Sequence, residues 1–548
     1  MDVTEVLQFQ PKKPSLKGNR RPVDDYDDRE PVTKRKKKSE LTDEERERIL
    51  EMVDNEPETE ALDDTGVKKL ILQFEKRVYR NQEMRIKYPD MPEKFMESEL
   101  ELNDILAEMH VISTVPDLYQ ILVDMNAVQS LLQLLSHENS DVSIAVVDLL
   151  QEMTDVDTLT ESEDGASVLF DALLDGQVVA LLVQNMERLD ESVKEESDGV
   201  YNTLGIIENM AELRSEVCQE AAQQGLMQWL LKRLKAKLPF DGNRLYTTEI
   251  LAILLQNETE NRKLLGELDG IDVLLQQLAA FKKHDPTSAE EVECMENMFN
   301  CLCSALMLAS NRQLFLRGEG LQLMNLMLRE KKLSRLSAIK VLDYAMTGQE
   351  GVDNCQKFVD ILGLRSIFPL FMKTPKKHRK IGSTDQDLEE HVVSILGSML
   401  RNCSGTQRQR LLNKFTESDH EKVDRLMELH FKYLSKLRVV DDRIEKEKHN
   451  LKIYGGDIDD ETEEQFYLQR LEAGLFTLQL VDYIMLEICV SGPTSIKQRV
   501  TEISNMRGGS FKTIRGIMRE YASNIGDAKD SEAQEAEQSR ILELMEKF

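Results

Sequence analysis

Apolar residues recur along this chain on two scales. Locally they fall three and four apart, the spacing that gives a helix one apolar face; a sustained period-two alternation of β-branched residues is absent. On the longer scale a leucine-rich phrase returns: A-V-Q-S-L-L-Q-L-L from Ala127, Q-V-V-A-L-L-V from Gln177, G-L-M-Q-W-L-L-K-R-L from Gly225, G-I-D-V-L-L-Q-Q-L from Gly270, G-L-Q-L-M-N-L-M-L from Gly320 and G-L-R-S-I-F-P-L-F from Gly363. The anchors Val128, Val178, Leu226, Ile271, Leu321 and Leu364 are 50, 48, 45, 50 and 43 residues apart. A single core stops growing near about 250–300 residues. Stacked repeats bury apolar faces only against their neighbours, so a chain of 548 residues stays within reach.

A helical period of roughly 40–47 is the range of armadillo and HEAT arrays. From Met96 the order is E-L-E-L-N-D-I-L-A-E-M-H-V, D-L-Y-Q-I-L-V-D-M, the Val128 phrase, then the longer S-H-E-N-S-D-V-S-I-A-V-V-D-L-L-Q-E-M-T. Three helices per unit suit armadillo rather than two-helix HEAT repeats. The segments at 258–271, 310–321 and 353–364 read as short first helices turning at glycine into the second. The expected fold is all-α: a right-handed superhelical armadillo solenoid with helical N- and C-terminal caps.

Composition divides the chain. Residues 1–65 combine few apolar residues, several prolines and segregated charge, and are expected to be a disordered arm. Within it Thr42 and Glu45 form a capping box for a short helix from Leu41. Residues 66–95 are expected to form an N-terminal helical cap, with Val67, Leu70, Ile71 and Phe74 on one face and Pro89 and Pro92 ending the helix. The array is placed at 96–435 and a C-terminal helical extension and cap at 436–548, including one strongly apolar helix at 465–488, a basic segment at 496–521 and a last helix from Ser531. Insertions at 280–290 and 373–387 read as solvated connectors, and Trp229 as a packing residue of a second helix.

Net charge is −30, of which the first 65 residues carry only −6. So acidic a body repels phosphate backbones, which argues against direct nucleic-acid binding and for basic partner segments. In the arm, Arg20 and Arg21 precede Lys34, Arg35, Lys36, Lys37 and Lys38, the two-cluster layout of a bipartite nuclear localisation signal read by import receptors. Seven scattered cysteines read as reduced, buried thiols, and the Cys301–Cys303 pair lacks the companions a zinc site needs. No apolar run reaches the ~18–20 residues of a membrane span. No signal peptide, phosphate loop, nucleophile elbow or H-E-x-x-H motif is present. His420-Glu421 and Glu390-His391 read as surface pairs and Gly508-Gly509-Ser510 as a helix break. The expectation is an intracellular nuclear protein, not an enzyme, without cofactor or metal.

Third helices line the concave face of armadillo arrays, and in import adaptors they carry Trp-x-x-x-Asn. Aligned by apolar pattern, those places here hold Asp148 and Glu152, Gly205 and Asn209, Ala252 and Gln256, Cys303 and Met307. The tryptophan ladder is missing. Asp148, Glu152, Glu208, Asn209 and Gln256 are the candidate partner-binding groove, its acids poised for Lys or Arg.

Several blocks exceed what repeat packing demands: F-E-K-R-V-Y-R-N-Q-E-M-R-I-K-Y-P-D-M-P-E-K-F-M-E-S-E (74–99), S-H-E-N-S-D-V-S-I-A-V-V-D-L-L-Q-E, W-L-L-K-R-L-K-A-K (229–237), G-E-G-L-Q-L-M-N-L-M-L-R-E-K-K (318–332) and K-V-D-R-L-M-E-L-H-F-K-Y-L (422–434). With these the chain, from about Val67 to Phe548, resembles the beta-catenin-like family of nuclear armadillo proteins; the first 65 residues match only in character. The resemblance implies association with the spliceosome through the splicing complex organised around a U-box ubiquitin ligase, particularly its cell-division-cycle-five-like Myb-type subunit. It also implies binding of activation-induced deaminase and recognition of basic localisation segments. The rival expectations are a nuclear import adaptor, against which the missing Trp-x-x-x-Asn ladder speaks, and a catenin-type adhesion scaffold, against which the basic arm speaks.

Overall fold

Each anchor of the repeating phrase marks the start of a second helix. Ala127–Leu134, Val178–Arg188, Met227–Lys235, Gly270–Leu278, Gly320–Glu330 and Leu364–Met372 all begin within one residue of their anchors. The computed structural model describes residues 62–374, 384–453, 459–525 and 531–548, and no strand occurs among them. The Arg20–Arg21 and Lys34–Lys38 clusters and the helix from Leu41 lie outside the described residues, as does most of the 373–387 insertion.

Long helices form the spine. They are α1 (Asp64–Lys87), α2 (Met96–Ser113), α3 (Ser140–Met153), α4 (Lys194–Leu213), α5 (Gly242–Gln256), α6 (Ala289–Ala305), α7 (Ser334–Met346) and α8 (Asp385–Asn402). From α1 onward each packs on the next, and α8 packs in turn on α11 (Leu475–Ser491). This is the armadillo solenoid, its long third helices stacked side by side. On α1 the residues Val67, Ile71, Phe74 and Val78 are buried against α2, and Leu70 is half-buried beside them. Trp229 is buried in the core.

The turn into five of the six second helices differs from the glycine turn read in the sequence, whereas the turn into Met227–Lys235 is made by Gly225 itself, with φ of 106°. Asn126, Gln177, Asp269, Glu319 and Leu362 themselves take left-handed φ of 54–65° just ahead of the phrase. Gly270, Gly320 and Gly363 serve a different need. A Cβ there would lie 2.4, 2.3 and 2.5 Å from Leu265, Phe315 and Phe358 of the preceding first helix. The glycines give closeness, and their neighbours make the turn.

What joins one repeat to the next is a pair of buried polar side chains. Asn261 Nδ2 donates to the carbonyls of Leu254 (2.8 Å) and Cys218 (2.9 Å), while Arg262 Nε donates to that of Leu255 (2.9 Å) and its Nη2 to that of Gln256. These include the last carbonyls of α5, which have no partner within their own helix. One repeat on, Asn311 donates to Ala305 O (3.0 Å) and Arg262 O (2.7 Å), and Arg312 Nε to Leu306 O (2.7 Å). Asn354 repeats the contact to Ala345 O at 3.1 Å.

Beyond α8 a shorter helix, Gly405–Lys414, leads to α9 (Glu421–Ile453), α10 (Asp460–Glu472), α11, α12 (Thr494–Met506), α13 (Phe511–Ser523) and α14 (Ser531–Lys547). The single helix read at 465–488 is two. It breaks at Gly474, whose φ is 101°, and the halves are bent by 65°. A Cβ at Gly474 would lie 2.5 Å from the Tyr433 ring, so α9 requires glycine at the bend. α11 is buried almost throughout, from Leu475 to Cys489. α9 runs unbroken across residue 435. The 280–290 insertion is tied down rather than loose: Asp285 Oδ1 accepts from Leu333 N at 2.8 Å, and Phe281 O accepts from Ser334 Oγ at 2.9 Å. Among the described residues no single helix is long and apolar enough to cross a membrane.

Between α9 and α11 lies a fully buried pair, His430 Nδ1 and Asp482 Oδ1, 2.5 Å apart. Burial alone would lower the His430 pKa, but the Asp482 carboxylate outweighs it and the net direction is up. Burial raises the Asp482 carboxyl as well, so the folded chain holds protons more tightly at both groups and stability associated with the pair is lost as pH rises, finally through the raised histidine pKa. Urea midpoints measured from acid to alkaline pH are expected to fall more steeply above neutrality in the wild type than in His430→Gln. Gly320→Ala is expected to cost about 1–3 kcal/mol by overpacking against Phe315, whereas Gly516→Ala, with open space around its Cβ, should stabilise by roughly 0.5–1 kcal/mol. Thermal melts of the two variants check the contrast.

Candidate partner-binding groove

The stacked third helices bring carboxylates of successive repeats onto one wall. On α3, Asp148 and Glu152 lie one turn apart. Asp148 Oδ1 accepts from Asn202 Nδ2 of α4 at 2.8 Å, and burial raises its carboxyl pKa despite that bond. Glu152 Oε2 lies 2.7 Å from His110 Nδ1 and accepts from Ser113 Oγ at 3.2 Å, both on α2, yet half of its side chain remains exposed. Glu208 on α4 accepts from the Tyr246 hydroxyl of α5 at 2.6 Å.

Of the five residues expected from the sequence, Asp148 and Glu152 form one local group and Glu208 anchors a second. Asn209 follows Glu208 on α4 and is half-buried. Gln256 is the last residue of α5, and its backbone carbonyl is engaged by Arg262, so it belongs to the repeat junction as much as to the wall.

The second group has members the sequence alignment passed over. Glu249 of α5 faces Glu208 and Glu293 of α6; burial first, then these like charges, push its pKa up to about 7. Tyr201 of α4 is 49% exposed, its ring centroid 4.8 Å from that of buried Tyr246. One exposed ring, that of Tyr201, therefore lies beside the acids, although no tryptophan stands at the aligned places. It was missed because the tyrosines do not sit at the aligned places. Gly205, which occupies a tryptophan place, leaves room for its neighbour instead: a Cβ there would lie 3.3 Å from the Tyr246 hydroxyl. The missed signal was the pair of tyrosines, each on a third helix within two turns of an acid.

Two other readings change. Glu390 and His391 are not ordinary surface residues: Glu390 accepts from Thr477 Oγ1 at 2.7 Å, and His391 Nδ1 lies 2.9 Å from buried Asp343, which also accepts from Ser394 Oγ at 2.6 Å. These bonds tie α8 to α7 and α11. His420 is likewise engaged, its Nε2 3.0 Å from Ser495 Oγ. Gly508 takes φ of 67° between α12 and α13, the break expected there.

The wall carries carboxylates on four successive third helices. Asp148 and Glu152 share α3 and both feel His110, which lies 2.7 Å from Glu152, while Glu208, Glu249 and Glu293 lie on three further helices. All seven cysteines are free and buried, with burial raising the thiol pKa of Cys218 to about 11. Among the described residues no three His, Cys, Asp or Glu side chains are grouped to hold a metal ion.

Comparison with known proteins gives the lineage. The family described as "Catenin-beta-like, Arm-motif containing nuclear" matches residues 46–519. Beta-catenin-like protein 1 of Homo sapiens is 69% identical over 487 residues, covering 89% of this chain and 86% of that protein; the Mus musculus protein gives the same values. The beta-catenin-like protein 1 homolog of Schizosaccharomyces pombe is 33% identical over 511 residues, covering 92% and 86%. With a helical array of the expected kind and these relatives along most of its length, the chain belongs to the catenin-beta-like family of Arm-motif-containing nuclear proteins.

Proposed function

We propose that this protein is a non-enzymatic nuclear scaffold that holds lysine- and arginine-rich segments of splicing proteins along its third helices and thereby supports pre-mRNA splicing. One observation carries the reading: Asp148, Glu152, Glu208, Glu249 and Glu293 project from four successive long helices, and like charge is close enough to shift Glu249. Carboxylates crowded in this way are stabilised by an incoming cation. Tyr201 offers an exposed aromatic face for the stem of a lysine or the plane of an arginine. The proposed partners are the cell-division-cycle-five-like Myb-type subunit and its companions in the U-box ligase splicing complex, with activation-induced deaminase as a further client. Nuclear entry is assigned to the Arg20–Arg21 and Lys34–Lys38 clusters acting through import receptors.

Affinity purification from nuclear extract at moderate salt is expected to recover splicing factors with the wild type, and to lose them with Asp148→Lys and Glu152→Lys combined. Retention by that double variant would remove the groove from the reading. Binding of a basic peptide should weaken steeply with salt. It should also tighten about 3–10-fold from pH 6 to pH 8, because cation binding favours the ionised form of Glu249. Fluorescence anisotropy with Glu249→Gln, which flattens that pH dependence, checks the assignment. Deleting Lys34–Lys38 is expected to shift the protein out of the nucleus, and imaging of a fluorescent fusion reads this directly.

A further inference from the structure

Where α2 and α3 end side by side, the wall opens into a cavity of about 240 Å³ lined by Ser113, Thr114, Gln151, Glu152, Asp155 and Thr158. Every lining side chain is polar. The direction of their hydrogen bonds narrows what can enter. Ser113 Oγ gives its proton to His110 O (2.7 Å) or to Glu152 Oε2 (3.2 Å). Thr114 Oγ1 donates to Val111 O at 2.9 Å, and Thr158 Oγ1 to Asp155 Oδ1 at 3.3 Å. The three hydroxyl hydrogens thus turn toward the protein and leave lone pairs toward the cavity.

The carboxylates have one committed oxygen each. Glu152 Oε2 is held by His110 and Ser113, and Asp155 Oδ1 caps the short helix Val156–Leu159 through Thr158 N at 3.1 Å. Glu152 Oε1 and Asp155 Oδ2 make no hydrogen bond to the described residues. Apart from the Gln151 amide, which can present either edge, the lining offers acceptors only. A ligand that fits must be rich in donors, cationic and free of acceptors.

Among protein side chains the guanidinium meets all three conditions, with five N–H groups in a planar fork and no acceptor. An ammonium is a point charge with three donors and uses such a spread of acceptors less fully. The volume lies below the roughly 300–1,000 Å³ typical of small-molecule and cofactor sites, a scale suited to one side chain. A metal ion is a poorer fit, since no three ligand side chains converge among the described residues.

We infer that this cavity is an arginine pocket which sets the register of a bound basic segment. The inference rests on the proposed reading of the groove. It adds that the groove discriminates arginine from lysine at one place, while Asp148, Glu208, Glu249 and Glu293 attract either cation.

The test is fluorescence anisotropy with the full chain and two labelled probes, hexa-arginine and hexa-lysine peptides, at fixed pH and low salt. Wild type is expected to prefer hexa-arginine about 5–10-fold. Glu152→Gln combined with Asp155→Asn should bring the two to near parity, chiefly by weakening hexa-arginine; asparagine keeps the helix cap. Glu293→Gln should weaken both peptides alike. The pocket is overturned if wild type shows no preference, or if the preference survives the double substitution. Should neither peptide bind the wild type, it is the groove reading itself that fails.

Discussion

The ends of long helices are the constraint on which this architecture depends. A helix leaves its last carbonyls without partners, and when that end is buried the loss is about 1–3 kcal/mol for each unsatisfied group. Here the first helix of the following repeat supplies the donors. Asn261 and Arg262 close α5, Asn311 and Arg312 close α6, and Asn354 reaches the end of α7. The guanidinium also places positive charge at the negative pole of the helix. Because Asn261 and Asn311 bond in addition to the first helix of the preceding repeat, at Cys218 O and Arg262 O, one side chain fixes two interfaces. Apolar packing could accept several registers; this polar junction accepts one.

That junction also decides what remains for binding. With second helices and helix ends committed to neighbours, the polar face of each third helix is left as the wall. Side chains there meet across repeats rather than within them, as Asn202 meets Asp148 and Tyr246 meets Glu208. The wall's chemistry is therefore a property of pairs of repeats. A position judged alone misleads: Gly205 looks like a lost aromatic, yet the space is used by Tyr246 from the next helix.

The same distinction explains what could be read from the chain. Helix identity follows from local periodicity, so the six phrases and their anchors fall where the pattern puts them. The Asn-Arg pairs at 261–262 and 311–312 were visible at the same 50-residue spacing as their anchors, but their meaning was not, since it lies in carbonyls contributed by another repeat. The bend at Gly474 was hidden for a related reason. The apolar run around it is continuous, and the demand for glycine comes from Tyr433, over forty residues earlier. Asp148 and Glu152 were legible because they share one helix. Glu249 and Glu293 were not, because neither occupies an aligned position and their mutual influence is a distance across repeats.

Crowded carboxylates oppose folding, and their persistence on one wall calls for a reason beyond packing. A half-buried glutamate whose pKa has risen to about 7 destabilises the folded chain whenever it is ionised. Elsewhere in the molecule buried acids are neutralised with care: Glu389 takes Lys432 at 2.5 Å and Arg425 at 3.3 Å, and Glu487 takes Arg408 and Arg540, both at 2.6 Å. The difference is one of place. Where α8, α9, α11 and α14 close the end of the array, Glu389 and Glu487 have their cations within the chain. Along α3 to α6 the wall acids form no ion pair with lysine or arginine among the described residues: Glu152 has His110, and Tyr246 and Asn202 supply neutral hydrogen bonds to Glu208 and Asp148. A fold able to complete its ion pairs at one end leaves the wall's carboxylates without lysine or arginine partners among the described residues, and this contrast is what the proposed basic segment would answer.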